Sequence, residues 1–352
     1  MKILYICTTI KVHKPKKTRI MRQLSRYIVM LVASLLVAGT AHAKSPKLKF
    51  NKDGKFKIVQ LTDIHWVYGN PNSDIAGECI AEVLDAEKPD LVVVTGDIIF
   101  AKPAKEGIEA ALAPIIKRGI PFAVTFGNHD DEQDLSREQL LELVQGMKGN
   151  LSATTEGITG VTNYTLEVGA SKGDSTAAVL YVFDSNSYSR NSKVKGYGWI
   201  AHDQIGWYME QSEAYKAENE GNPLPALAFF HIPLPEFNEA VRDESAFMIG
   251  SRKEPACSPK INSGLAAAML DKGDVMGVFV GHDHINDYAV NWRGILMAYG
   301  RYTGGNTVYN NITEGNGARV IELTEGERGF RTWIRIKDSR TMYHLDFPKD
   351  TK

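Results

Sequence analysis

Cysteine is scarce in this 352-residue chain, with three residues at Cys7, Cys79 and Cys257. None stands in a Cys-x-x-Cys or Cys/His spacing, which argues against a thiolate metal site. An excess of one charge is lacking too. The 41 Lys and Arg against 42 Asp and Glu leave a formal net charge of -1. Composition therefore argues against a general nucleic-acid or membrane-surface binder, and no basic groove with interleaved aromatics marks a nuclease. Long apolar runs are missing. The run from Tyr27 to Gly39 falls short of the about 20 residues that a membrane-spanning helix needs. No internal repeat or low-complexity linker divides the remainder, so one large domain is expected.

The Tyr27–Gly39 run belongs to a leader. Arg22 and Arg26 precede it, and Ala41, His42 and Ala43 follow. A basic segment, a short apolar segment and a small-x-small site make a secretory signal peptide. Met21 opens this pattern, so Met21 is the expected start. Residues 1–43 are then leader and 44–352 an exported chain, periplasmic or secreted, with no transmembrane segment. In an oxidising compartment Cys79 and Cys257 either pair or stand free.

What the chain has is a regular succession of elements. Phe56 to His65 alternates apolar and polar residues as a strand does. Asp74 to Lys88 places Ile75, Cys79, Ile80, Val83 and Leu84 on one helical face. "DLVVVTGD" (90–97) is continuously apolar before its end, the pattern of a strand covered on both faces. A helix over Lys105–Arg118 leads to a third strand in "IPFAVTFGNHD". This alternation predicts parallel strand–helix–strand units. "NYTLEV" and "STAAVLYVFDSN" predict an antiparallel pair, and helices are expected over 203–217 and 262–270. "PLPALAFFHIPLP" and "VMGVFVGHDHIND" read as strands running into loops. "GILMAYG", "GARVIEL" and "FRTWIRI" make the last third strand-rich.

Polar residues gather just past these strand ends: Asp63 and His65, Asp97, Asn128 with His129 and Asp130, His231, and His282 with His284. In open α/β sheets ligands bind beyond the carboxyl ends of the strands. Singly, each residue is an ordinary loop former. Jointly, five of the seven histidines after residue 43 sit at these ends, which argues for one site. Carboxylate, imidazole and a neutral amide oxygen suit Mn, Fe or Zn. Seven candidate ligands exceed one catalytic ion with an open position. They suit two ions sharing a carboxylate, a pair that polarises a phosphoryl group and yields hydroxide at neutral pH.

These residues resemble the calcineurin-like metallophosphoesterases. "TDIH" (62–65), "TGDII" (95–99), "GNHD" (127–130), "FFHIP" (229–233) and "GHDH" (281–284) stand in the family's order. "AFFHIPLPE", "INSG", "FVGHDHINDY" and "GYGWIAHDQIGWY" look most like the branch with purple-acid-phosphatase-29-type and yeast DCR2-type phosphatases. The resemblance implies an α/β fold, a four-layer αββα sandwich of two mixed β-sheets flanked by helices. It implies that Asp63, His65 and His284 hold one metal, that Asn128, His231 and His282 hold the other, and that Asp97 bridges. His129 would stabilise the phosphoryl transition state or protonate the leaving oxygen. Asp130 either orients His129 or serves the turn.

Purple acid phosphatases carry a ferric-binding tyrosine at the end of the second block. Here that place holds Phe100, which cannot ligate, and the first block offers His65 instead. The expected function is an exported phosphomonoesterase working by attack of a metal-bridging hydroxide. A phosphodiesterase on the same core is the alternative, and a non-catalytic binding protein of this fold is a third reading. Candidate substrate contacts are Asn262, Tyr299 and Arg301, the last for its bidentate guanidinium, beside the aromatic loop of Tyr197 and Trp199. His202 is expected at a helix start.

Overall fold

Alternate residues of the central strands feed two different cores, and this builds the layers. The computed structural model describes residues 48–338 and 340–351; the expected leader and the Met21 start lie outside them. The chain runs through β1 (Lys55–Leu61), α1 (Pro71–Glu87), β2 (Leu91–Thr95), α2 (Ala104–Arg118), β3 (Phe122–Thr125) and α3 (Arg137–Gln145). It continues through β4 (Tyr164–Gly169), β5 (Thr176–Val182), α4 (His202–Glu218), β6 (Ala226–Phe229), α5 (Glu236–Ala240) and β7 (Met248–Ile249). The rest comprises α6 (Leu265–Lys272), β8 (Val275–Val280), β9 (Ala289–Trp292), β10 (Ile295–Tyr299), β11 (Gly317–Thr324), β12 (Phe330–Ile336) and β13 (Thr341–Phe347).

Two mixed sheets result. One has the order β13-β12-β11-β1-β2-β3 and the other β4-β5-β6-β8-β10-β9-β7. β1, β2 and β3 are parallel, as are β5, β6, β8 and β10. Val59, Leu61, Val92 and Val94 point to a core shared with α1, α2 and α3. Their neighbours Ile58, Leu91 and Val93 point the other way, to meet Leu227, Phe229 and Phe279 between the sheets. Val278 and Val280 face a third core with Ile205 and Tyr208 of α4 and Met269 of α6. A strand buried on both faces must be apolar at every position, which accounts for "LVVVT" and "VMGVFV". The expected sandwich of two mixed sheets flanked by helices is therefore present, and β4 and β5 pair antiparallel as anticipated.

Several boundaries differ from expectation. α1 starts at Pro71, because the Asn70 side chain accepts from Asn72 N and proline suits the first helical turn. α3 was not anticipated; its signal is the capping box of Ser136 and Gln139. β9 and β13 were also missed. Cys79 is buried, Cys257 exposed, and both are free thiols. Among the described residues no helix is long and apolar enough to cross a membrane.

Candidate metal centre

Five parallel strands, β1, β2, β3, β6 and β8, end at one rim of the sandwich, and each delivers a polar side chain there. Four of the delivered residues, Asp63, His65, Asp97 and His282, have positive φ (54°, 46°, 51° and 80°). Such backbone costs of order 1–3 kcal/mol per residue and persists where the surroundings over-determine it. Close loop approach is part of that. A Cβ on Gly127 would collide with the Asp97 carboxylate, and one on Gly281 with the Thr62 hydroxyl.

Two groups of donors form, and Asp97 belongs to both. Asp63, His65, Asp97 and His284 make one, and Asp97, His231 and His282 the other, each with ligand atoms within 4.8 Å of one another. His65 Nε2 lies 2.9 Å from His284 Nε2 and 3.6 Å from Asp97 Oδ2. His284 Nε2 is 3.7 Å from Asp63 Oδ1. On the other side His231 Nε2 is 3.1 Å from Asp97 Oδ2 and 3.3 Å from His282 Nδ1. All are buried. Asn128 Oδ1 has no hydrogen-bond partner, and Asp97 Oδ2 meets only the His231 and His65 ring nitrogens, at 3.1 Å and 3.6 Å; a buried acceptor left unpaired is costly. Cations at the two groups would relieve both oxygens, so the donor set fits a pair of ions.

Neighbouring groups fix how the ligands point. His231 Nδ1–H donates to Thr95 O at 2.8 Å and His284 Nδ1–H to Tyr309 O at 2.8 Å. Each bond leaves Nε2 free for a metal, the usual support for ligating imidazoles. Asp63 accepts from the His282 amide at 3.0 Å and from the Thr62 hydroxyl at 2.8 Å. Asp97 Oδ1 takes the His129 amide at 2.9 Å, which turns Oδ2 toward the imidazoles. Burial, joined by neighbouring imidazoles, holds His65 and His282 well below the usual histidine range. Both are thus in the neutral, ligating form. Burial pushes Asp97 up, but the adjoining His231 outweighs it and holds the carboxylate well below the usual range.

His129 sits at the mouth, half-exposed, with its ring against those of His65 and Phe100. Its Nδ1 lies 2.6 Å from Glu132 Oε2. Asp130, a candidate for orienting His129, is placed otherwise. Its carboxylate accepts from the amides of Gly127 (2.7 Å), Asp97 (3.0 Å), Ile98 (2.7 Å) and Ile99 (3.2 Å). It ties the "TGDII" loop to the "GNHD" loop. Burial, then the nearby Asp97 charge, pushes Asp130 up to about 6.

The three candidate substrate residues have their polar groups engaged by other protein groups. Arg301 is buried, paired with Asp287 and donating to Gly315 O. The hydroxyl of Tyr299 donates to Asp283 Oδ2 at 2.6 Å in the core. Asn262 donates to Glu236 Oε1 at 2.7 Å. A polar residue after an apolar strand was the only sequence signal for Arg301, and the same signal describes a buried ion pair. His202 begins α4, as expected.

Sequence reading missed Glu132, Tyr188, Tyr309 and Arg137. Tyr188 OH donates to Glu132 Oε1 at 3.0 Å and receives Asn128 Nδ2 at 3.5 Å. Arg137 is buried and braces the loop end, donating to Gly127 O at 2.6 Å and to Asp184 Oδ1 at 2.9 Å. Only Glu132 carried a usable hint, a carboxylate one tight turn beyond His129. A cleft of about 610 Å³ runs along the Tyr188 loop, lined by Arg137, Asp184, Arg190 and Trp199 among others. None of the candidate metal ligands lines it.

Comparison with known proteins agrees with this geometry. The profile of the calcineurin-like phosphoesterases matches residues 56–286. Phosphatase DCR2 of Saccharomyces cerevisiae is 34% identical in a match covering 83% of this chain and 56% of that protein. The Arabidopsis thaliana protein named "Probable inactive purple acid phosphatase 29" is 33% identical over 87% of this chain and 86% of its own length. A dimetal phosphatase from Danio rerio has a similar fold, with a TM-score of 0.59 at 14% identity over 83% of this chain and 98% of that one.

Proposed function

Because the chain belongs to the calcineurin-like phosphoesterase family, we propose that it hydrolyses phosphate monoesters at a two-ion centre. The observation that carries this reading is the Asp97 carboxylate, shared by both donor groups, with Oδ2 buried between an imidazole of each. Asp63, His65 and His284 would hold one ion, Asn128, His231 and His282 the other, and Asp97 both. Mn, Fe and Zn all suit these donors. When bound, such a pair supplies charge neutralisation for the phosphoryl group and acidifies a water nucleophile.

The chain's own residues do the rest. With Nδ1 committed to Glu132, His129 has Nε2 left to give a proton to the departing alkoxide. Asp130 keeps the Asp97 and Asn128 loops in register, so both ligands meet the substrate in fixed geometry. The order of basic, apolar and small residues before Lys44 supports export. N-terminal sequencing of protein recovered from the cell exterior or periplasm tests that.

Protein stripped by chelator and reloaded separately with Mn, Zn or Fe is offered p-nitrophenyl phosphate and bis-p-nitrophenyl phosphate, with Asp97→Asn as blank. Metal-dependent turnover favouring the monoester is expected. Preference for the diester would make the protein a phosphodiesterase. Two bound ions with no turnover on either would support a non-catalytic role, in line with the word "inactive" in the relative's name.

A further inference from the structure

Four aromatic rings stand at the mouth of the metal centre, packed on its imidazoles or on one another. Phe100 lies edge-on to His129 at 5.1 Å and to His65 at 5.3 Å between ring centroids. Tyr197 meets His282 edge-on at 4.4 Å. Tyr309 stacks on His284 at 4.4 Å and 23°. Tyr188 stacks on Tyr197 at 5.7 Å and 20°. Three of the four leave much of the ring in water, with exposures of 37% for Phe100, 47% for Tyr188 and 54% for Tyr309. Large exposed apolar groups gathered at one place mark a contact surface, whereas scattered ones do not.

The charges near this rim point the same way. Tyr188 OH donates to Glu132 at 3.0 Å and Tyr309 OH to Glu254 at 3.4 Å. Among the described residues no lysine or arginine stacks on any of the four rings. The guanidiniums of Arg137 and Arg301 are buried and committed to Asp184 and Asp287. A rim with carboxylates and without a cation on its rings disfavours a second phosphate. Exposed ring faces instead favour a flat apolar group.

On the phosphomonoesterase reading above, we infer that the preferred substrates are monoesters whose organic part carries an uncharged aromatic ring. That ring rests against Tyr309 and the Tyr188–Tyr197 pair while the phosphate occupies the centre. Tyr309 is the best residue to change. It holds His284 through its backbone carbonyl, so a new side chain leaves that bond in place.

The test measures binding, so it does not depend on turnover. Mn-loaded protein is titrated calorimetrically with inorganic phosphate, benzylphosphonate and cyclohexylmethylphosphonate, the last two matched in carbon count and charge. Benzylphosphonate is expected to bind about three- to tenfold more tightly than its saturated counterpart. In Tyr309→Leu with Tyr188→Leu the aromatic preference is expected to fall below about twofold. Inorganic phosphate serves as the reference for the centre itself. Equal affinity for the two phosphonates, or a preference that survives both substitutions, overturns the inference. If equal affinity accompanies monoester turnover, the phosphatase reading stands alone. Absence of any phosphate or phosphonate binding overturns both.

Discussion

Glu132 Oε2 lies 2.6 Å from His129 Nδ1, one tight turn along the chain. On the proposed mechanism His129 is the proton carrier, and Glu132 is the residue that fixes its ring. Glu132→Gln is expected to lower kcat about 10- to 100-fold, the range found when the partner of a functional imidazole is removed. KM and metal content should stay near their starting values. The loss should be larger on an alkyl phosphate than on p-nitrophenyl phosphate, whose phenolate departs without a proton. Steady-state kinetics on the two esters checks this, and equal losses would deny His129 the acid role.

Asp130 predicts a different signature. Its carboxylate gathers four backbone amides from two loops, so Asp130→Asn exchanges acceptors for a group that is part donor. Removing a buried hydrogen-bond partner of this kind costs about 1–3 kcal/mol. A lower melting temperature and weaker metal retention are expected together. A variant that keeps full stability but loses kcat would place Asp130 with His129 after all.

Asp97→Asn separates the two donor groups chemically. The amide loses the charge that both groups share, while Asp63, His65 and His284 remain on one side. Metal content is expected to fall from about two ions per chain toward one or none, with hydrolysis lost. Elemental analysis after desalting gives the number. Two ions retained would mean that Asp97 does not bridge.

The chain shows why some of this was legible and some was not. Several candidate ligands announced themselves because they follow strands that are apolar nearly to their ends, where polar residues stand out. Asp97 after "LVVVT" and His282 after "VMGVFV" are the plainest cases. Arg301 gave the same outward signal after β10, yet it is a buried partner of Asp287; the pattern marks a strand end, not what the side chain meets there. Glu132 and Tyr188 were hidden for the opposite reason. They lie 56 residues apart, Glu132 in a single 3₁₀ turn and Tyr188 in a loop, and neither is long enough for periodicity to state which way a side chain points. β13 was missed because its solvent-facing residues dilute the apolar pattern to Leu345 and Phe347.

Phe100 occupies the place where a purple phosphatase has its tyrosine, and its ring packs on His65 and His129 instead of donating oxygen. Protein loaded with ferric iron should therefore lack an intense tyrosinate band in the visible spectrum. A strong band would require Tyr188, Tyr197 or Tyr309 to have moved onto the ion. Repeating the measurement in the corresponding phenylalanine variants would identify it.

Arg137 and Asp184 form the buried pair that holds the Asn128 loop from behind, at 2.9 Å and with no exposure of the Asp184 side chain. Burial alone would push Asp184 up; the adjoining Arg137 charge and backbone amides outweigh it, and the carboxyl is held below its usual range. The sign of the pH effect follows. A depressed folded-state value stabilises fully above the unfolded value, about 3.9 for aspartate, and that stabilisation is lost as pH falls through the folded value. Denaturant melts should thus show stability dropping below about pH 4. Arg137→Met leaves Asp184 buried without its cation and should cost about 3–5 kcal/mol at neutral pH. Asp184→Asn should be less stable than the parent at pH 7 yet show a flatter acid slope, because the group that gains the proton is gone. An unchanged slope would place the acid sensitivity in other carboxylates and reduce this pair to packing.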